Sequence, residues 1–184
     1  IARRQRQMCI RDSWGTVYAI HFLLEAEKKG YLVPEGMKRN ALNDLSRIAR
    51  NWKPEASYSA ESEEMTQAYR LFVLALGQVA EVGAMNRLKE SKTLMSMSRY
   101  LLAAGYALIG RPDVSKELVV KTTALTTACS GYDQTFGSDL RDTSIRLMTL
   151  CLLDGGKEAA LLANEISKTL ASDDWLSTQS TAFS

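Results

Sequence analysis

Residues 137–156 read GSDLRDTSIRLMTLCLLDGG and follow Phe136. This stretch carries its own start and stop signals. Ser138 or Asp139 is placed to cap a helix, Asp139 and Asp142 sit at the positive end of its dipole, and Gly155-Gly156 can supply a left-handed stop. Between them Ile145, Leu147, Met148, Leu150, Cys151, Leu152 and Leu153 leave almost no polar face, so the pattern predicts a helix surrounded by other helices. Cys151, within that run, reads as a small core residue.

Upstream, Trp14 to Tyr31 predicts a helix with Tyr18, Phe22, Leu23 and Ala26 on one stripe, ended by Lys28, Lys29 and Gly30. Pro34 opens a second helix whose apolar positions Met37, Ala41, Leu45, Ile48 and Trp52 leave the other face basic and polar. Residues 53–63 are polar and aperiodic, which predicts a loop. Met65 to Val82 and Thr93 to Ile109 are apolar on most sides, with a short amphipathic segment, Ala84 to Glu90, between them. Pro112 starts a helix over 113–128 whose second half is rich in β-branched residues and is expected to finish extended. Downstream, Lys157 to Ala171 is one-sided, with Ala159, Leu162, Ala163, Ile166 and Leu170 in register, and Asp173 or Asp174 is placed to cap a last helix.

Helices apolar on most sides thus alternate with helices apolar on one side, about four times and then a fragment. Two concentric layers of helices require that alternation. The predicted fold is all-α, a partial α/α toroid truncated at both ends. A tetratricopeptide-like solenoid is the alternative, but the inner-type positions Phe22, Phe72, Leu101 and Leu147 are unevenly spaced, where a regular stack keeps one period.

The composition is globular, with 46% hydrophobic and 24% charged residues. The net charge of +2 is uneven: four arginines against one aspartate put residues 1–13 at +3, leaving the rest at −1. A near-neutral body offers no electrostatic reason for a nucleic-acid partner. The segment RRQRQMCIRDS, residues 3–13, resembles the translation of a sequencing adapter, so residues 1–13 are expected to be a non-native extension of a domain spanning 14–184. Cys9, Cys129 and Cys151 form no C-x-x-C pair and have only His21 as an imidazole partner, so no metal or other cofactor is expected. No apolar run reaches the roughly 18 residues that a bilayer span needs, so direct membrane insertion of this segment is not expected.

Several stretches carry a family resemblance. Tyr18 to Pro34, YAIHFLLEAEKKGYLVP, is similar to a helix and exit turn in the thioester-domain region of bacterial alpha-2-macroglobulins. Phe136 to Asp142, FGSDLRD, resembles their aromatic-Gly-Ser-x-Leu-Arg-Asp segment, and Trp175 to Ala182, WLSTQSTA, their closing Trp-Leu-Ser-Thr-Gln motif. The Leu94 to Ala107 helix fits between these in order. The resemblance implies a fragment of a large broad-spectrum protease trap in the cell envelope, periplasmic and membrane-anchored through the parent protein. Its partners would be the remainder of that parent and, through it, target proteases. In that family a Cys-x-Glu-Gln thioester acylates the trapped protease; here the residues three after Cys129 and Cys151 are Tyr132 and Asp154, so no reactive residue carries over. Gly137, Ser138, Leu140, Arg141, Asp142, Trp175, Leu176, Ser177, Thr178 and Gln179 become structural candidates, with Arg141 and Asp142 pairing to loops or helix ends.

Two further function classes compete. Toroids also hold glycoside hydrolases and terpene cyclases, which need clustered carboxylates; Asp133, Asp139 and Asp142 come nearest, and two of these lie where helix starts favour acids. No enzyme activity is expected. His21 lacks a Ser or Cys motif and reads as a hydrogen-bonded core or boundary residue. A solenoid adaptor that binds peptides would want aromatic positions in register, which Tyr69, Tyr100 and Tyr106 do not show. A curvature that closes on itself separates the toroid from the adaptor.

Overall fold

The computed structural model describes residues 13–54, 60–91, 94–121 and 137–184. Helices α1 (Ser13–Lys28), α2 (Glu35–Asn51), α3 (Ala60–Leu76), α4 (Val82–Lys89), α5 (Ser96–Leu108), α6 (Pro112–Val120), α7 (Asp139–Cys151), α8 (Gly156–Leu170) and α9 (Thr178–Phe183) follow in order, with no strand among the described residues. The turn chemistry is that of the sequence. Gly30 (φ 87°) and Gly110 (φ 75°) adopt the left-handed conformation after α1 and α5, letting Tyr31 N–H reach Ala26 O (3.1 Å) and Arg111 N–H reach Tyr106 O (2.9 Å). Pro112 lies in the first turn of α6, where its missing N–H costs nothing.

The odd-numbered helices α1, α3, α5 and α7 pack side by side in an inner row. The even-numbered helices lie outside it: α2 on α1 and α3, α4 on α2, α3 and α5, α6 on α5, and α8 on α7. The row turns back on itself, because the Arg141 guanidinium of α7 lies over the Trp14 ring of α1 and Phe183 of α9 packs on Tyr18 of α1. An open superhelix would keep those ends apart.

The most enclosed element is α3, buried without a break from Glu64 to Ala75 between α1, α2, α4 and α5. Small residues make the approach to α5 close. Ala68, Ala75, Ala103, Ala104 and Gly105 are all buried along the two helices, and a Cβ on Gly105 would meet Met85 Cε at 3.2 Å and Phe72 Cα at 3.6 Å. Leu71, Leu74, Leu101 and Leu102 are fully enclosed, each stabilising the fold by about 1.5–3 kcal/mol. Several polar groups in this core are satisfied by neighbouring helices. Ser115 Oγ donates to Ala103 O (2.7 Å), Thr149 Oγ1 to Tyr100 O (3.1 Å), and Tyr106 Oη to Asn86 Oδ1 (2.6 Å). Glu64 accepts from Met95 N–H (2.9 Å) at the start of α5, and burial holds its pKa above the usual carboxylate value.

Several sequence expectations need correcting. The helix over 139–151 is not enclosed on all sides: Leu140, Arg141, Ser144, Ile145, Thr149 and Leu150 are buried against α5, α8, α9 and, through Arg141, α1 and α3, while Cys151 and Leu152 are exposed. Cys151 is therefore a surface residue. On α1 the buried stripe is Trp14, Val17, Ile20 and Leu24; of the expected stripe, Phe22 is 66% exposed while Tyr18, Leu23 and Ala26 are half-buried, Tyr18 against the core. On α2 the buried residues are Leu42, Leu45, Ser46 and Ala49, leaving Met37 and Ile48 exposed. The apolar run 65–82 is broken by Gln78 (φ 61°), and α3 begins inside the polar stretch expected to be a loop, where Glu61 and Glu63 suit the first turn. On α8 only Leu162 and Ile166 are buried. Of the Gly155-Gly156 stop, Gly155 is not left-handed; Asp154 (φ 56°) and Gly156 (φ 51°) are. Neither Asp173 nor Asp174 caps the last helix, since Ser177 does. The adapter-like residues 1–12, Cys9, Cys129, Asp133 and the extended reading of the second half of 113–128 lie outside the described residues, apart from helical Val119–Val120 and the turn at Lys121.

Candidate functional site

The motif segments meet where α7 and α9 begin. Ser138 has the extended backbone of a cap and accepts from Arg141 N–H (3.1 Å); Ser177 does the same for Ser180 N–H (3.1 Å). The two caps share a partner: Ser180 Oγ lies 2.7 Å from Ser138 Oγ and 2.8 Å from Ser177 Oγ. Ser144 Oγ donates to Leu140 O (2.7 Å) and lies 3.2 Å from Ser184 Oγ, which donates to Ser180 O (2.7 Å). Short hydroxyl side chains join two backbones that neither helix could hold together with apolar contacts alone.

Beneath this seam lies Arg141, with no exposed surface. Its Nε and Nη2 donate to Asp142 Oδ1 at 2.9 and 2.7 Å, Nη2 lies 3.8 Å from Met65 Sδ, and the guanidinium carbon lies 5.4 Å from the Trp14 ring centroid. One side chain thereby touches α1, α3 and α7. A charge so enclosed is tolerated because it is paired and stacked.

An aromatic cluster continues from there. Trp14 and Tyr69 have centroids 4.7 Å apart, and Tyr69 and Tyr18 each lie 5.9 Å from Phe183. His21 Nδ1 lies 2.8 Å from Tyr69 Oη, and the imidazole stands edge-on to Phe72 at 5.4 Å. Burial depresses the His21 pKa to about 4, outweighing the attraction of Glu25, and burial also raises that of Tyr69. The imidazole is neutral at pH 7 and its near polar partner is a phenol, an arrangement suited to packing.

The structure thus brings together Ser138, Leu140, Arg141 and Asp142 with Ser177. Gly137, Leu176 and Gln179 are half-buried around them, Thr178 is exposed, and Trp175, 88% exposed, stands apart. Asp139 is exposed and Asp142 is engaged by Arg141, so these two carboxylates form no joint acidic site. No group of three or more His, Cys, Asp or Glu side chains suited to a metal occurs among the described residues, and no described helix is long and apolar enough to cross a membrane. Sequence reasoning missed Trp14, Met65, Tyr69, Ser180 and Phe183 as members of the junction. The second Ser of S-T-Q-S and the Trp opening α1 were the available signals.

An inner row that turns back on itself, an outer row and a buried arginine beneath two serine caps define part of an α/α toroid. No family model matches the chain. It is homologous to the alpha-2-macroglobulin of Escherichia coli (strain K12), 29% identical over 180 residues that take in 91% of this chain and 11% of that protein. The structure of E. coli alpha-2-macroglobulin activated by porcine elastase superposes with a TM-score of 0.76 at 25% identity, covering 94% of this chain and 16% of that one. Salmonella alpha-2-macroglobulin reacted with methylamine shares the fold, with a TM-score of 0.74 at 24% identity over 93% of this chain and 12% of that one. The chain therefore spans about a ninth of the length of its curated relative.

Proposed function

We propose that this chain is a supporting part of the α/α toroid of a broad-spectrum protease trap, working in the cell envelope within a larger, membrane-anchored periplasmic protein. The sequence relationship across 91% of the chain carries this reading. The chain contains no Cys-x-Glu-Gln, so any covalent capture of a protease takes place on other residues of the parent. The role of this part is mechanical. It holds inner helices in a fixed ring through the contacts of Arg141, Trp14 and Phe183, giving neighbouring parts of the parent a rigid surface to sit on and to leave when a protease cuts.

The test uses the full-length product of the source gene, incubated with porcine elastase or trypsin. A trapped protease loses activity on a large protein substrate and keeps activity on a small peptide substrate. Equal activity on both, at a molar excess of the protein, would refute the reading.

A further inference from the structure

The C-terminal end of α2 with the residues that follow it, the middle of α3 and helix α4 border a cavity of 480 Å³ whose lining includes Arg50, Trp52, Lys53, Gln67, Arg87 and Glu90. Its polar floor is Gln67, 1% exposed. The orientation of that amide is dictated by Arg70: a guanidinium only donates, and its Nη1 donates to Gln67 Oε1. The amide nitrogen must then be the donor end. One of its two protons goes to Ala49 O (3.0 Å), and the other has no acceptor among the described residues.

Arg70 is itself anomalous. It is 3% exposed, its Nε has no hydrogen-bond partner, and no carboxylate pairs with it among the described residues. Burial alone lowers its pKa to about 10, with no acid acting against it. A buried cation without a counter-charge is strongly disfavoured, unlike Arg141, which has Asp142. The cavity rim adds more positive charge. Arg87 Nη2 donates to Arg50 O (2.8 Å), Arg50 lies 3.3 Å from Glu81, and among the described residues Lys53 makes no ion pair and Glu90 is the one acid in the lining.

We propose that this cavity binds a carboxylate, which accepts from the second N–H of Gln67 and from Lys53 and Arg87, with Arg70 behind as the positioning residue and buried counter-charge. The acidic side chain of a protein segment and a small organic acid offer the same chemistry. The inference is independent of the protease-trap reading, since it concerns a binding equilibrium of this chain alone.

The experiment is a thermal-melting titration of the 184-residue chain at constant ionic strength, with sodium glutarate, a blocked Gly-Glu-Gly peptide, and sodium sulfate. The expected result is a saturable rise in Tm with a carboxylate, its midpoint shifted at least tenfold by Gln67→Leu and weakened by the surface change Lys53→Ala. Whichever carboxylate saturates lower identifies the source. Arg70→Met should melt higher than the wild type without ligand, because it removes an unneutralised buried charge, and should lose the response. The proposal is overturned by no saturable rise, by an unchanged midpoint in Gln67→Leu and Lys53→Ala, by sulfate matching the carboxylates, or by a lower Tm for Arg70→Met.

Discussion

Ser138 and Ser180, 42 positions apart, share a hydrogen bond of 2.7 Å between their hydroxyls. Because Ser138 also caps α7 and Ser180 N–H is capped by Ser177, this one contact couples the starts of two helices. Ser138→Ala should cost about 1–2 kcal/mol, the loss of a cap together with a bridging hydrogen bond. Ser180→Ala should cost less, and the double variant should fall short of the sum by about 0.5–1 kcal/mol. Urea melts of the four proteins supply the cycle; strict additivity would show that the hydroxyl contact contributes nothing.

Arg141→Ala should destabilise the protein by about 3–5 kcal/mol, since it strands the Asp142 carboxylate and empties the space against Trp14 and Met65. Arg141→Met, which fills the space and leaves the carboxylate half-buried, should cost less. A Tm unchanged in Arg141→Ala, together with altered association with neighbouring domains, would assign the residue to an interface instead.

His21 gives the fold a defined pH dependence. Its pKa is about 4 when folded against an ordinary value of 6.5, because burial outweighs Glu25, with Lys28 acting in the same direction as burial. Between those values the unfolded chain holds the proton and the folded protein does not, so stability rises with pH across the window. The full effect is roughly 3 kcal/mol. Glu64, raised by burial, acts in the opposite sense, its contribution falling as pH rises above the ordinary carboxylate value. The His21→Gln variant keeps an acceptor for Tyr69 and cannot titrate, so the difference between its stability curve and the wild-type curve isolates the imidazole. Parallel curves from pH 4 to 6.5 would show that His21 is not desolvated.

Gly155 and Gly156 should respond differently to the same substitution. A Cβ on Gly155 would lie 2.6 Å from Leu150 Cβ and 2.9 Å from Leu150 O, where backbone leaves no room to yield, so Gly155→Ala should cost about 1–3 kcal/mol. Gly156 has open space around it but φ 51°, so Gly156→Ala should cost about 1–2 kcal/mol and Gly156→Asn distinctly less. Chemical denaturation of the three variants tests the order; rescue of position 155 by Asn would contradict the close approach to Leu150.

The helices and their connections were readable from residues because local physics sets them. Gly30, Gly110, Pro112 and Ser138 act through φ, a missing N–H or a side-chain oxygen within one turn, and each does in the structure what its type dictates. Which face of a helix becomes core was less readable. On α1 both Tyr18-Phe22 and Trp14-Val17-Ile20-Leu24 repeat at helical spacing, and only the placement of α2 and α3 selects the second. The motif segments could be named without knowing what they do, since Arg141 acquires its role from Trp14 and Met65, each more than 70 residues away in sequence.

The sequence by itself determined an all-helical fold, the alternation of inner and outer helices, and the similarity to bacterial alpha-2-macroglobulins, because composition, capping and motif order survive without coordinates. Only the tertiary structure decided that α3 and not α7 is the enclosed helix, that Cys151 faces outward, that the inner row closes through Arg141 on Trp14, and that Arg70 is buried without an acid among the described residues. Burial and charge pairing are properties of neighbours brought from elsewhere in the chain. Periodicity shows that a face is apolar, but the partner that covers it is chosen by packing.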